Sequence, residues 1–224
     1  VSVLPAALHP DPAVAERLAR YVEFLLERNA RVNLTSARDP AAVGEHVRDS
    51  LELLPYVRGP LLDVGSGGGF PAIPLALAGG FEITLIESVA KKARFLGEAL
   101  AELCLAGRVL ADRAEIAGRD TQLRAQFASA TARAVGSLST VLELTLPFLE
   151  IGGSAVLQRG RLDDAERIAA SDAALVLGGG ALREISLGDQ RRLIVVVKER
   201  ATPGRFPRRP GVPAKRPLCV AGET

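Results

Sequence analysis

Apolar positions recur along this chain at two different spacings, and the spacing changes near residue 60. Before it, Val14, Leu18, Val22, Leu25 and Leu26 fall at intervals that predict one helix, from Asp11 or Pro12 to about Asn29. Glu16, Arg17, Arg20, Glu23 and Glu27 then cover its wet face, and packing is its expected role. A second helix is predicted from about Pro40, with Leu51 and Leu54 inward. His46 and Asp49 share one face of it, as an ion pair or a helix-end hydrogen bond would. Asn33-Leu-Thr35, between the two, reads as capping. After Pro60, short apolar runs alternate with helical ones. Strands are predicted at Leu61–Leu62, Phe81–Ile86, Arg108–Ala111, Phe127–Arg133 and Gly153–Leu157. Helices are predicted at Ala72–Ala78, Ala90–Leu103, Ser137–Leu149 and Arg161–Ala170. Ala181–Leu187 and Arg191–Lys198 alternate as an antiparallel pair around Gly188-Asp-Gln190. Five βα units and a terminal hairpin predict an α/β, Rossmann-like fold: a mostly parallel seven-stranded sheet behind an N-terminal helical extension.

Length and composition narrow the class. The 224 residues fit one α/β domain with a small extension, and 48% hydrophobic residues supply a sizeable core. The expected division is a helical cap over 1–56, a catalytic domain over 57–200 and a basic tail over 201–224. No apolar run reaches the length of a membrane span, and no signal-peptide pattern opens the chain. The two cysteines, Cys104 and Cys219, are far apart in unlike contexts, so neither a disulfide framework nor a metal site is expected. A cytoplasmic monomer without membrane contact is the expectation. The net charge of +2 hides an asymmetry. From Lys198 to Arg216 the segment carries about +6, opposed only by Glu199, and the remainder about −4. A basic tail on a mildly acidic body points to a polyanionic partner.

The candidate chemistry centres on Asp63-Val-Gly-Ser-Gly-Gly-Gly-Phe70. Strand, glycine turn and helix start let a backbone approach a nucleotide-like ligand closely, with Gly65, Gly67 and Gly69 making the turn. A dinucleotide and S-adenosylmethionine (SAM) both fit this geometry. Asp63 favours SAM, because a carboxylate at the loop repels a pyrophosphate and attracts an ammonium and a sulfonium. Glu87 closes the second strand about twenty residues on, where an acid meets two ribose hydroxyls in either class. Asp112-Arg-Ala-Glu115 follows the third strand, where an adenine edge lies. Lys91 and Lys92 sit at a helix start, which the helix dipole disfavours, so a ligand or a solvated face accounts for them.

The fourth strand ends in Thr131-Ala-Arg-Ala134, beside the transferred group in such folds. The sequence has no Asn/Asp-Pro-Pro-aromatic clamp for an exocyclic amine there. Neither cysteine is placed to attack carbon 5 of a pyrimidine. Arg133 without an evident base suits a nucleophile with a free lone pair and no proton to lose, such as guanine N7. Elimination of this kind leaves another RNA or a protein open as the acceptor.

An ordered set of motifs resembles the bacterial small-subunit ribosomal RNA guanine-N7 methyltransferase family, RsmG or GidB. The pieces are Asn33-Leu-Thr35, His46-x-x-Asp49-Ser-Leu51, Asp63 through Leu75, Glu87-Ser-x-x-Lys-Lys-x-x-Phe-Leu96, Arg113-x-Glu115, Ala132-Arg-Ala134 and Arg205-Phe-Pro-Arg-Arg-x-Gly211. They run in order from about residue 20 to 218, and the tail is the most specific of them. The resemblance implies a SAM-dependent methyltransferase fold behind a helical cap. SAM is the implied donor, and a guanosine of 16S ribosomal RNA, free or in a ribosomal particle, the implied acceptor. It implies cofactor contacts at Gly65, Phe70, Ala114, Glu115 and Arg133, beside Asp63, Ser66, Gly67, Gly69 and Glu87 of the loop reading. Arg133 is also the candidate catalytic residue, and Lys91, Lys92, Arg205, Arg208 and Arg209 are the candidate RNA contacts. The chain departs from the family pattern at Ala72 for Gly, Ala132 for Ser, and Gln158-Arg159-Gly160 where Lys-Gly is usual. The last puts the role of Arg159 in question, since arginine and lysine are not interchangeable.

Overall fold

A computed structural model describes residues 11–133, 136–188 and 190–219. Ala134 of the fourth-strand motif and Asp189 of the hairpin turn lie outside the described residues. The elements run α1 (Pro12–Val32), α2 (Pro40–Leu51), β1 (Leu61–Val64), α3 (Ala72–Gly79), β2 (Ile83–Ile86), α4 (Ala90–Glu102) and β3 (Gly107–Leu110). Then follow α5 (Ala114–Ala117), β4 (Phe127–Ala132), α6 (Leu138–Thr145), β5 (Leu149–Arg159), α7 (Asp164–Val176), β6 (Arg183–Ser186), β7 (Arg192–Val197) and α8 (Val212–Lys215).

The seven strands form one sheet in the order β3-β2-β1-β4-β5-β7-β6. β1 to β5 pair in parallel, and β7 runs antiparallel between β5 and β6. This is the Rossmann-like layout expected from the alternating pattern. The order reverses at β1, so the crevice beyond the carboxyl ends of β1, β2 and β4 is where a ligand binds in such sheets. Strand side chains alternate between two buried layers. Leu61, Ile83, Leu85, Leu193 and Val195 pack with α1 to α4 on one face. Leu62, Val64, Ile86, Ile194 and Val196 pack with α6 and α7 on the other. No helix among the described residues is long and apolar enough to cross a membrane.

Several boundaries differ from the sequence pattern, each for a local reason. α1 runs to Val32 because Asn33 adopts a left-handed conformation and its N–H donates to Asn29 O, closing the last turn. Asn33 thus caps α1, and Asp39 caps α2, accepting from Ala42 N. α6 stops at Thr145, and Leu146–Phe148 tightens into a 3-10 turn around Pro147, which has no N–H to give. β5 starts at Leu149, four residues early, since Gly152 and Gly153 break its alternation without ending it. α7 continues past Ala170 to Val176, its start fixed by Asp163 accepting from Glu166 N.

The described part of the tail is folded onto the body. Phe206 lies in the core shared with α6 and α7. Arg124 holds the chain there, donating to the carbonyls of Gly118, Thr202 and Phe206 at 2.7–2.8 Å. Lys198, 2% exposed, donates to Leu146 O and Thr202 Oγ1 at the base of the tail. Burial draws its pKa down to about 8.

Candidate cofactor and methyl-acceptor site

The glycine turn at the end of β1 is a left-handed path, with φ of 72° at Gly65, 53° at Gly67 and 96° at Gly69. Only glycine takes such a path at no steric cost. The turn is also clamped from above. Tyr21 of α1 donates to Gly68 O at 2.6 Å. A Cβ at Gly68 would meet Leu25 Cδ1 and Leu34 O at 3.3 Å. From below, Glu87 Oε2 accepts from Gly67 N at 2.9 Å, and its Oε1 accepts from Val89 N at 2.7 Å. Parallel pairing of Val64 with Ile86 brings this acid alongside the turn. Each Glu87 oxygen keeps a lone pair after its backbone bond, so accepting ribose hydroxyls is compatible with bracing the loop.

Asp63 is fully buried and points to the face occupied by α1 to α4. Its register partner Thr131 donates to Oδ1 at 2.7 Å, and Ser66 Oγ donates to the Asp63 carbonyl. Oδ2 has no partner among the described residues. Burial raises the Asp63 carboxyl to about 7, outweighing the Thr131 and Ser66 hydrogen bonds and the nearby Arg133. A buried acid with one unsatisfied oxygen is costly alone and suits a cationic ligand. The ammonium and sulfonium of SAM meet that requirement; a pyrophosphate does not.

Phe70 forms the hub of the acceptor side. Tyr21 meets its ring edge-on at 5.4 Å, His46 at 5.5 Å, and the Arg133 guanidinium lies 4.8 Å above its centroid. Arg133 makes no hydrogen bond among the described residues, and burial pulls its pKa down from the ordinary value. Burial, then Arg133, lowers the pKa of His46. His46 and Asp49 do not pair. The His46 ring turns to Phe70, while Asp49 takes Arg191 across the molecule.

On the far side of the turn a cavity of about 100 Å³ is lined by Val64, Ile86, Ala114 and Leu144, with Asp112 and Glu115 at its polar edge. Arg113 lines it too, bonded to Glu115. Glu115 is buried, accepting from Arg113 Nη2 at 2.8 Å and from Gly211 N at 2.9 Å. Burial pushes its carboxyl up, but those two donors outweigh it and the net shift is downward. The tail therefore braces an acid that lines this cavity, a contact the sequence does not announce.

Among the candidate RNA contacts, Arg208 is engaged within the protein, its side chain 25% exposed. Its backbone and guanidinium donate four bonds of 2.6–3.0 Å to Glu143, a fully buried carboxylate of α6. Arg209 and Arg205 are exposed, Arg205 stacking on Phe206 at 5.0 Å. Lys91 is exposed in a groove of about 430 Å³ between α1 and α4, which Arg31, Arg94 and an Arg28–Glu98 pair also line; Lys92 is half-buried beside it. Those three arginines escaped the sequence reading because α1 gave no hint that its last turns face α4.

Comparison with known proteins agrees with this geometry. The profile of the GidB family, rRNA small subunit methyltransferase G, matches residues 14–195. A Roseiflexus castenholzii protein named ribosomal RNA small subunit methyltransferase G is 42% identical over 221 residues, covering 94% of both chains. A Chloroflexus aggregans protein of the same name is 43% identical over 210 residues, covering 89% of this chain and 88% of its own. Among solved structures, a methyltransferase from Pyrococcus furiosus superposes with a TM-score of 0.52 at 14% identity, over 83% of this chain and all of that one.

Proposed function

This chain belongs to the rRNA small subunit methyltransferase G family, and on that premise we propose that it transfers a methyl group from SAM to N7 of a specific guanosine in 16S ribosomal RNA. The observation that carries the reading is the juxtaposition of two unlike environments about Phe70. On one side Asp63, Glu87 and Glu115 bury three carboxylates around a glycine turn and the cavity beside it. On the other, Arg133 lies over the Phe70 ring, which His46 meets edge-on.

Bound there, SAM supplies an electrophilic methyl carried on a sulfonium. Glu87 is placed to receive the ribose hydroxyls, Gly65, Ser66, Gly67 and Gly69 to admit the ligand against the backbone, and Ala114 and Glu115 to bound the adenine. Asp63 and Phe70 belong at the cationic end, where a carboxylate and an aromatic face both favour positive charge. Guanine N7 carries an in-plane lone pair and loses no proton on methylation, so the enzyme's task is alignment rather than general base catalysis. Arg133 acts as the positioning cation on the acceptor side. Lys91, Lys92, Arg205 and Arg209 contact RNA phosphates and fix register, with the α1–α4 groove extending their track. The helical cap holds the glycine turn through Tyr21 and Leu34, and the protein acts as a cytoplasmic monomer.

The test is transfer of labelled methyl from SAM to small subunits, and separately to naked 16S RNA, from cells lacking N7-methylguanosine. Borohydride and aniline cleavage then maps the position. A single new cleavage site in 16S RNA is the expected result. Label appearing in protein, in another RNA, or at an atom other than N7 would overturn the reading.

A further inference from the structure

A second cavity, of about 330 Å³, opens on the other side of Arg133 and is lined by Asp49, Gln158, Arg159, Gly160 and Arg191 as well. Four separate elements converge on it. α2 brings Asp49, the end of β4 brings Arg133, the end of β5 brings Gln158 and Arg159, and the approach to β7 brings Arg191. Pairing of Ala132 with Leu157 sets Arg133 beside Gln158.

The polar groups in it are held in defined orientations. Arg191 donates to Asp49 Oδ1 at 2.5 Å and to both oxygens of Glu52 at 2.6 and 3.1 Å. That fork fixes the Asp49 carboxylate and leaves Oδ2 without a partner among the described residues. Gln158 Nε2 donates to the Asp49 carbonyl at 3.1 Å. A carbonyl only accepts, so the amide orientation is set and Oε1 is its free end. One wall therefore offers two acceptors, and Arg159, held by Gly136 O and Glu166 at 2.6 Å, offers a fixed guanidinium plane beside them.

We propose that this cavity is the pocket of the acceptor base, and that Asp49 Oδ2 and Gln158 Oε1 select guanine by accepting from its N1–H and N2–H. The inference rests on the reading that the acceptor is a guanosine of ribosomal RNA. Guanine is the one standard base with two adjacent donors on its Watson–Crick edge. Adenine and cytosine turn a ring-nitrogen lone pair toward these acceptors, and uracil sets one donor between two carbonyls. A base splayed out of RNA is read on such edges and stacked on aromatic or guanidinium planes. With that edge on the Asp49 wall, N7 lies across the ring, toward Arg133 and the donor site. Arg191 is a positioning residue for Asp49.

The test uses the full-length enzyme and 16S RNA ligated with guanosine or inosine at the mapped position; inosine lacks only the N2 amino group. Wild type should lose tenfold or more in kcat/KM on inosine. Asp49→Asn and Gln158→Leu should each lose thirtyfold or more on guanosine, with unchanged SAM affinity and melting temperature. At least one of them should no longer distinguish guanosine from inosine, which a merely structural defect would not bring about. Both variants within threefold of wild type would overturn the proposal. So would losses in both that keep the wild-type guanosine-to-inosine ratio, or that follow lost SAM binding or folding. Wild-type transfer to another base or atom would instead overturn the functional reading, and this inference with it.

Discussion

Asp63 couples the site to pH in a way that can be measured. Its carboxyl sits at about 7 in the folded protein against an ordinary 3.8, because it is fully buried with one oxygen unsatisfied. The folded chain therefore holds this proton where the unfolded chain has released it. The contribution to stability is complete below about pH 4 and is lost as pH rises through about 7. A shift of that size corresponds to about 4 kcal/mol. Asn at this position keeps the shape and never ionises. Urea unfolding of wild type and Asp63→Asn across pH 4 to 8 should show the variant gaining on wild type by an amount of this order. A cationic ligand reverses the bias, since it favours the ionised acid. SAM binding below pH 7 should release close to one proton, read by calorimetry in two buffers of different ionisation heat, and its affinity should rise up to about tenfold per pH unit. A stability difference flat with pH would refute the buried-proton argument. Binding without proton release would refute the placement of the cationic end at Asp63.

Four further variants probe contacts of the glycine turn and of the tail. Tyr21→Phe deletes the donor to the buried Gly68 carbonyl and should weaken SAM binding by about 1–3 kcal/mol with little change in far-UV circular dichroism; unchanged affinity in calorimetry would free α1 from any part in binding. Glu87→Gln turns an amide toward the Gly67 or Val89 N–H, so SAM and S-adenosylhomocysteine should lose affinity by similar factors; a loss confined to SAM would place Glu87 at the sulfonium instead. Arg208→Ala leaves Glu143 buried without its cation, keeping only the bond from the backbone N–H of 208, and should cost about 3 kcal/mol in urea unfolding. Arg209→Ala should leave stability intact and flatten the salt dependence of RNA binding by about one unit of log–log slope; the reverse pattern would undo the division of labour between these neighbours.

Sequence exposed the parts of this site that depend on local pattern. β1, β2 and β4 are buried on both faces and so read as largely apolar runs. Asp63 lies near the end of β1 and Glu87 directly after β2, and the glycines between are visible because no other residue makes that turn at no cost. What stayed hidden depends on pairs distant in the chain. Tyr21 fell between the counted apolar positions of α1, although it is fully buried against the turn. Asn29 looked like a helix-end polar residue, yet its side chain makes four bonds that shape 34–37. All eight residues of α6 are buried, so its pattern could not show that Glu143 needed a cation, and Arg208 therefore looked free. Cationic density in the tail was legible; its partner was not. Asp49 and His46 were legible as neighbours on one helix face, and the structure sends them to different tasks.

The arrangement answers an electrostatic problem that any enzyme joining these two substrates faces. The donor is cationic at its reacting end and the acceptor is a polyanion, so one field cannot attract both. At the donor site three carboxylates lie inside, at the carboxyl ends of β1 and β2 and at the start of α5, where Asp63, Glu87 and Glu115 are at most 6% exposed. The positive charges lie outside, in the α1–α4 groove and on the exposed Arg205 and Arg209. Screening by salt acts on the outer set and hardly reaches the inner one. Raising ionic strength should therefore weaken RNA binding steeply while leaving SAM binding nearly flat. Isothermal titration of SAM and filter binding of 16S RNA over the same salt series would read both slopes. If SAM affinity fell in parallel with RNA affinity, the two fields would not be separate, and the donor would be held by surface charge rather than by the buried acids.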